Sequence, residues 1–322
     1  MSTRISTLLA GAALCATATT ASAGLLFNLN YDPSLVAFGA NLANLESATQ
    51  YVANEFSALY NNNVTLNINV TRDPANGLGA SLFEDNGSSY TYAQVRAALI
   101  SHASTPASIS ATTLLPLLDP SGGGNFVIAN AQAKALGLLA ANAPGLDGTF
   151  FIGAGNSYAF NPGQRALVGA YDYLGTAEHE FSEIMGRVTQ LTNPGFGFMP
   201  FDLFRCSAGA VNLNPAASNV YFSTDGCITN AHSYNASGNG GDIQDWAGSI
   251  PADSFDAFGN TNEAEPMSAI DQVVMNTLGW QAAAQAVPAP SSLALLWPGM
   301  LLLFWRRPHP CLLRERCATN AV

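Results

Sequence analysis

Val64, Leu66, Ile68 and Val70 alternate with polar residues, and no other pattern in the chain restricts its fold so tightly. Side chains of a strand point alternately to opposite faces, so this run is a strand with one buried and one polar face. Just upstream, Leu42, Leu45, Thr49, Val52, Phe56 and Leu59 recur every three or four residues, which predicts a helix over residues 41 to 60 with one apolar face. Leu25 to Tyr31 reads as a further strand. The core therefore opens β-α-β.

A turn-rich stretch, Asp73-Pro74-Ala75-Asn76-Gly77, precedes a predicted helix over Tyr92 to His102, where Val95, Ala98 and Leu99 keep helical spacing. A small-residue helix is expected around Ala131 to Ala141, a strand over Thr149 to Ile152, and a helical or near-helical stretch over Ala166 to Arg187. Beyond Gly195 the composition shifts to loops and short strands until a last helix over Ile270 to Leu278. No internal repeat is present. The pattern predicts one α+β domain, residues 24–283, with an irregular C-terminal half.

Both ends read as targeting segments. Residues 1–23 join Arg4, the apolar run Leu8 to Ala18 and Ala21-Ser22-Ala23, the build of a signal peptide with a small-x-small site for signal peptidase. Val287-Pro288-Ala289-Pro290-Ser291-Ser292 leads into apolar Leu293 to Trp305, closed by Arg306 and Arg307, a short membrane helix with its charges on the cytoplasmic side. Residues 287–307 resemble the PEP-CTERM sorting signal of bacterial exosortase systems. Ala289 stands where that pattern has Glu, and an atypical tail, residues 308–322, continues past the arginines. The resemblance implies an exosortase-type partner and delivery to the cell envelope or exterior, with the membrane helix as a transient anchor. The alternative is a tail anchor that is never cut.

Charge narrows the function classes. Arg72, Arg96, Lys134, Arg165, Arg187 and Arg205 face every acidic residue of the chain except Glu315, a core charge near −15. Such a surface repels the phosphate backbone, so nucleic acid is excluded as a partner. Of the five cysteines, only Cys206 and Cys227 lie in the core, and for an exported chain they predict one disulfide.

The chemistry concentrates in Thr176-Ala177-Glu178-His179-Glu180-Phe181-Ser182-Glu183-Ile184-Met185-Gly186-Arg187. Residues four apart share a helix face, so His179 and Glu183 can reach one cation, while Glu180, about 100° round the helix, stands beside it as a general base for water. Zinc accepts a His nitrogen and carboxylate oxygens, and three protein ligands leave a fourth place for water.

This helix resembles the zincin metallopeptidases, and more closely a group of PEP-CTERM-associated bacterial metalloproteases with His-Glu-Ile-Ser-Glu-Val-Met-Gly-Arg at this place. Further matches are Gly148-Thr149-Phe150-Phe151-Ile152-Gly153, Asp202-Leu203-Phe204-Arg205, Tyr221-Phe222-Ser223-Thr224-Asp225-Gly226, Asp242 with Asp245-Trp246, and Leu278-Gly279-Trp280. The resemblance implies a zincin-like fold with a mixed sheet, Zn2+ as cofactor and a peptide or protein substrate. Glu183 stands where better-known zincins have their second His, and Thr189 where one branch has its third. The third ligand is expected downstream. Asp202 is the first choice, the alternative being a structural Asp that pairs with Arg205 or caps a helix; His232 and Asp225 are further candidates. A different reading is a non-catalytic surface or matrix protein that keeps the fold. A third makes Asp242 and Asp245 the acid pair of a glycan hydrolase.

Overall fold

A computed structural model describes residues 24–283. The expected signal peptide, the expected sorting segment with its membrane helix, and the C-terminal tail lie outside the described residues, and among those described no helix is long and apolar enough to cross a membrane.

The β-α-β opening forms as the pattern predicts. Strand β1 (Leu26–Tyr31) leads through a 3-10 segment, Pro33–Asn41, into helix α1 (Leu42–Leu59) and back along strand β2 (Thr65–Arg72). The two strands pair in parallel, Leu26 opposite Thr65 and Tyr31 opposite Val70. Leu66, Ile68 and Val70 are buried against Leu45, Val52 and Phe56 of α1.

The sheet is completed by two strands far apart in sequence. Strand β3 (Gly79–Phe83) precedes three helices: α2 (Tyr92–His102), α3 (Pro106–Thr113) and α4 (Asn130–Ala135). Strand β4 (Gly148–Ile152) then inserts between β2, to which it is parallel, and β3, to which it is antiparallel. The order is β1-β2-β4-β3, a mixed sheet with β3 on one edge. Periodicity does not reveal β3: Gly-Ala-Ser is poor strand material, and only pairing with β4 extends it. Helix α4 stops well before Ala141, because the chain turns at Gly137 with φ +66° and Lys134 reaches back to Asp147 at 2.7 Å.

The stretch expected as helix from Ala166 is a turn first. Short strands β5 (Tyr158–Ala159) and β6 (Tyr171–Asp172) pair in parallel, and helix α5 (Tyr173–Ile184) starts only where Asp172 accepts the Leu174 N–H at 3.1 Å. Helix α5 packs on β3, β4 and α1. Phe181 anchors it, stacked on Phe27 and edge-on to Phe150, each 5.7 Å between centroids. Burying such a ring contributes about 1.5–3 kcal/mol.

The C-terminal half is irregular, as read from composition. Strands β7 (Arg205–Ser207), β8 (Ala210–Val211), β9 (Tyr221–Phe222) and β10 (His232–Ser233) form a small antiparallel sheet. The Cys206–Cys227 disulfide closes its loop, with Cα atoms 5.4 Å apart. Trp246 lies between Phe222, Tyr234 and Phe255 and donates its indole N–H to Asp271 at 2.8 Å. Asp271 sits in the first turn of helix α6 (Ala269–Thr277), so the loops are tied to that helix. Overall the class is α+β with mixed sheets.

Candidate metal centre

Helix α5 places His179 and Glu183 one turn apart, and the loop after β10 brings Asp245 against them. His179 Nε2 lies 3.5 Å from Glu183 Oε1 and 3.5 Å from Asp245 Oδ1. Among the described residues these three are the group of His, Cys, Asp and Glu whose donor atoms all lie within 4.8 Å of one another. Two zinc bonds of 2.0–2.2 Å at a tetrahedral angle set their donor atoms about 3.3–3.6 Å apart, which the two separations from His179 Nε2 match, so the group could hold a metal ion.

The histidine is oriented for that role. Its Nδ1 is 2.7 Å from the Ser254 carbonyl oxygen. A carbonyl only accepts, so Nδ1 carries the proton and Nε2 is the atom turned to the carboxylates. Without a cation the imidazole holds a second proton: burial alone lowers its affinity, but Asp245, aided by Glu183, raises it to about 10. Glu183 is held on both oxygens, by Ser81 Oγ of β3 at 2.7 Å and by Gln244 Nε2 at 3.0 Å. Burial works against its ionised form, but His179, Arg187 and Ser81 outweigh it and keep the carboxyl below the usual range.

Arg187 lies behind the cluster and is fully buried. Helix α5 is closed just past its C-cap, Met185, by Gly186, φ +110°, with Gly186 N–H on the Glu183 carbonyl and Arg187 N–H on the Ser182 carbonyl at 2.9 and 3.0 Å. This paired closure needs a left-handed residue, and it folds Arg187 back under the helix. The guanidinium donates to Asp245 Oδ1 at 2.6 Å, comes within 3.5 Å of Glu183 Oε1 and lies 4.2 Å above the Phe255 ring. Burial raises the Asp245 carboxyl to about 6 against the pull of His179 and Arg187.

Glu180 faces the cleft beside this group. It lines a cavity of about 200 Å³ together with His179, Asp242, Asp245, Asp256 and Glu265. Strand β3 passes close over it: a Cβ on Gly79 would stand 2.7 Å from Glu180 Oε1 and 2.6 Å from Thr176 Cγ2, so only glycine permits the approach. Burial, and then the Glu183 charge, push the Glu180 carboxyl well above the usual range.

The other residues singled out from the sequence lie elsewhere. Asp202 is not in the cluster; one oxygen accepts from Thr189 Oγ1 and the other from the Met199 N–H, which makes it the cap of a 3-10 turn, Pro200–Phe204. Asp202, expected as the third ligand, therefore lies apart from His179 and Glu183, and the carboxylate that the fold brings to them is that of Asp245. Spacing of 23 residues from His179 measures chain length, and the turn carries the carboxylate away from the helix. Asp202 does not pair with Arg205, whose Nη1 donates to the carbonyls of Asn212 and Asn214. His232 stacks on Trp246 at 4.5 Å, and Asp225 accepts the Ile228 and Thr229 N–H groups as a turn residue. The usable signal for Asp245 was its neighbour Trp246, a buried ring that pins the adjacent side chain.

Comparison with family models, with curated proteins and with solved structures finds no match to this chain.

Proposed function

We propose that the protein is an exported zinc metalloendopeptidase-like hydrolase with a zincin-like fold, in which His179, Glu183 and Asp245 hold the metal and Glu180 is the general base. The observation that carries this reading is the meeting of the oriented His179 imidazole with the Glu183 and Asp245 carboxylates, beside a cleft that His179, Glu180 and Asp245 line. Zinc, when bound, supplies a Lewis acid that polarises a carbonyl and acidifies water. The chain's own residues do the rest. Ser254 fixes the His179 ring, Ser81 and Gln244 fix Glu183, and Arg187 fixes Asp245. A bound cation would favour the ionised form of Glu180, whose carboxylate would then take a proton from the attacking water and pass it to the leaving amine. Among the described residues, edge strand β3 pairs on one side only, and its other side could add an extended peptide as a strand.

Export through signal peptidase and an exosortase-type enzyme belongs to the same proposal, and a disulfide suits an oxidising exterior. One observation favours the second reading, a non-catalytic surface protein: Arg187 with a protonated His179 already balances Glu183 and Asp245, so the cluster is complete as a buried ion-pair network. Metal analysis of the exported chain, paired with an assay on unfolded protein substrates, decides between them. One zinc per chain with cleavage is expected; a chain that holds no zinc and cleaves nothing would leave the ion-pair network as the cluster's purpose.

A further inference from the structure

Four large apolar side chains stand in solvent on two neighbouring loops. Leu114, Leu117 and Leu118 follow helix α3 and are 52%, 89% and 84% exposed; Ile228, on the loop between β9 and β10, is 82% exposed. The loops touch, since a Cβ on Gly226 would stand 3.5 Å from Leu114 Cβ. Between them opens a recess of about 200 Å³ whose lining includes Leu114, Leu115, Leu203, Phe204 and Val211. A single exposed leucine needs no explanation, but a group of them around an apolar recess marks an interaction surface.

Two observations say what covers it. The first is charge. The core carries a net charge near −15, yet residues 106–124 contain one charged residue, Asp119, and residues 212–231 contain one, Asp225. Both are tied into turns: Asp119 accepts the Ser121 and Gly123 N–H groups at 2.8 and 3.1 Å, and Asp225 accepts those of Ile228 and Thr229 at 3.1 and 2.9 Å. Arg96 donates to the Thr113 carbonyl at 3.3 Å, which adds a cation next to Leu114. A face so poor in acid on so acidic a chain suits a partner that is apolar within and neutral at its surface.

The second is where the chain leads. The Ala282 N–H donates to Ser104 Oγ at 3.2 Å, just before α3, and the leucines lie past the other end of that eight-residue helix, which is about 12 Å long. Residues 284–292, nine in all, then separate Ala283 from the apolar run Leu293 to Trp305. A stretch of that length spans at most about 35 Å. With the apolar run in a bilayer, the leucines are kept within reach of the lipid surface.

We propose that the Leu114 to Leu118 segment and the Ile228 loop form a docking surface for a neutral lipid bilayer, with Leu117, Leu118 and Ile228 entering the headgroup region and the recess taking part of an acyl chain. The inference rests on the export reading for the apolar run as a transient anchor, whereas the surface itself stands on its exposure, its recess and its lack of charge. It does not depend on the peptidase chemistry.

The test uses the full chain reconstituted with phosphatidylcholine vesicles. An environment-sensitive fluorescent residue is placed at Ile228 and, as a control, at Val168, which is 88% exposed and does not line the recess. The probe at 228 should shift to the blue on vesicles, and the probe at 168 should not. Leu117→Asn combined with Leu118→Asn should lower the ratio of docked to undocked chain at least about tenfold, because burying one leucine is worth that much; circular dichroism confirms that the variant folds. A chain that floats with the vesicles while position 228 stays in water would keep the anchor and overturn the docking surface. A blue shift at 228 in a chain whose residues 284–322 remain open to added protease would keep the docking surface and remove the anchor. A blue shift that needs no vesicles and grows with protein concentration would overturn the proposal in favour of a second copy of the chain.

Discussion

Helix α5 carries two buried arginine-carboxylate networks, and they are built to different ends. On one, Arg165 donates to Asp172 Oδ2 and to both oxygens of Glu178, while the Leu174, Glu265 and Met267 N–H groups take what remains. Each carboxylate oxygen there has a donor. On the other, Arg187 donates to Asp245 Oδ1, which also lies 3.5 Å from His179 Nε2, and His179, Glu180 and Asp245 line a cleft. A closed network of this kind holds elements together. An open one retains capacity for a ligand, and the sequence writes both as a helix rich in Glu.

The largest effect should come from Glu180→Gln, which breaks the open network's chemistry without touching its cation ligands. Hydrolysis of unfolded protein should fall by 10² to 10⁴, up to about 5 kcal/mol of barrier, with zinc retained at one per chain. Zinc lost with the activity would mean that Glu180 is a ligand, and the roles along the helix would need to be exchanged.

Arg165→Ala attacks the closed network. It leaves Asp172 and Glu178 buried and uncompensated, which costs about 3–5 kcal/mol in denaturant unfolding. Zinc affinity of the protein that still folds should stay near that of the wild type. A large loss of zinc would show that the two networks are not separable.

The comparison is sharpened by a pair of aspartates. His179→Ala and Asp245→Ala should each weaken zinc by more than about 100-fold, because even partners behind a ligand are worth 10–100-fold. Asp202→Asn should leave zinc binding in place and lower stability by about 1–3 kcal/mol, the effect of disturbing a buried hydrogen-bonded cap. The reverse ranking by calorimetry would restore Asp202 as the ligand.

The smallest effect is a pH slope. The metal-free His179 titrates near 10, raised from 6.5 by the carboxylates that outweigh its burial. Its contribution to stability is then complete below about 6.5 and is lost as pH rises through about 10. Zinc needs the neutral ring, so it must displace that proton, and its affinity should grow about tenfold per pH unit between 7 and 9. The closed network holds none of the residues proposed to hold zinc, so Arg165→Ala should leave the pH slope of zinc affinity unchanged. A flat zinc affinity over that range would remove His179 from the ligand set.

Legibility from sequence followed the range of the forces. The β-α-β opening and the helix that carries His179 and Glu183 could be read because strand alternation and helical spacing record burial within a few neighbours: Val64 to Val70 and Leu42 to Leu59 state their own buried faces. Strand β3 could not be read, since its extension is imposed by β4, more than 60 residues later. Helix α5 also began later than its composition suggested, because Asp172 and the β5-β6 pair fixed the start.

The sequence by itself determined that His179 and Glu183 share one helix face, that Glu180 stands beside them, and that Cys206 and Cys227 would pair. Those facts depend on local geometry or on elimination among few candidates. Only the tertiary structure decided that Asp245 rather than Asp202 completes the group, that Arg187 turns back beneath it, and that Glu265 lines the same cleft. The physical reason is that a ligand set is a convergence of side chains from separate loops. Chain spacing constrains such a convergence weakly, whereas the packing of Trp246 and the turn at Gly186 fix it in space.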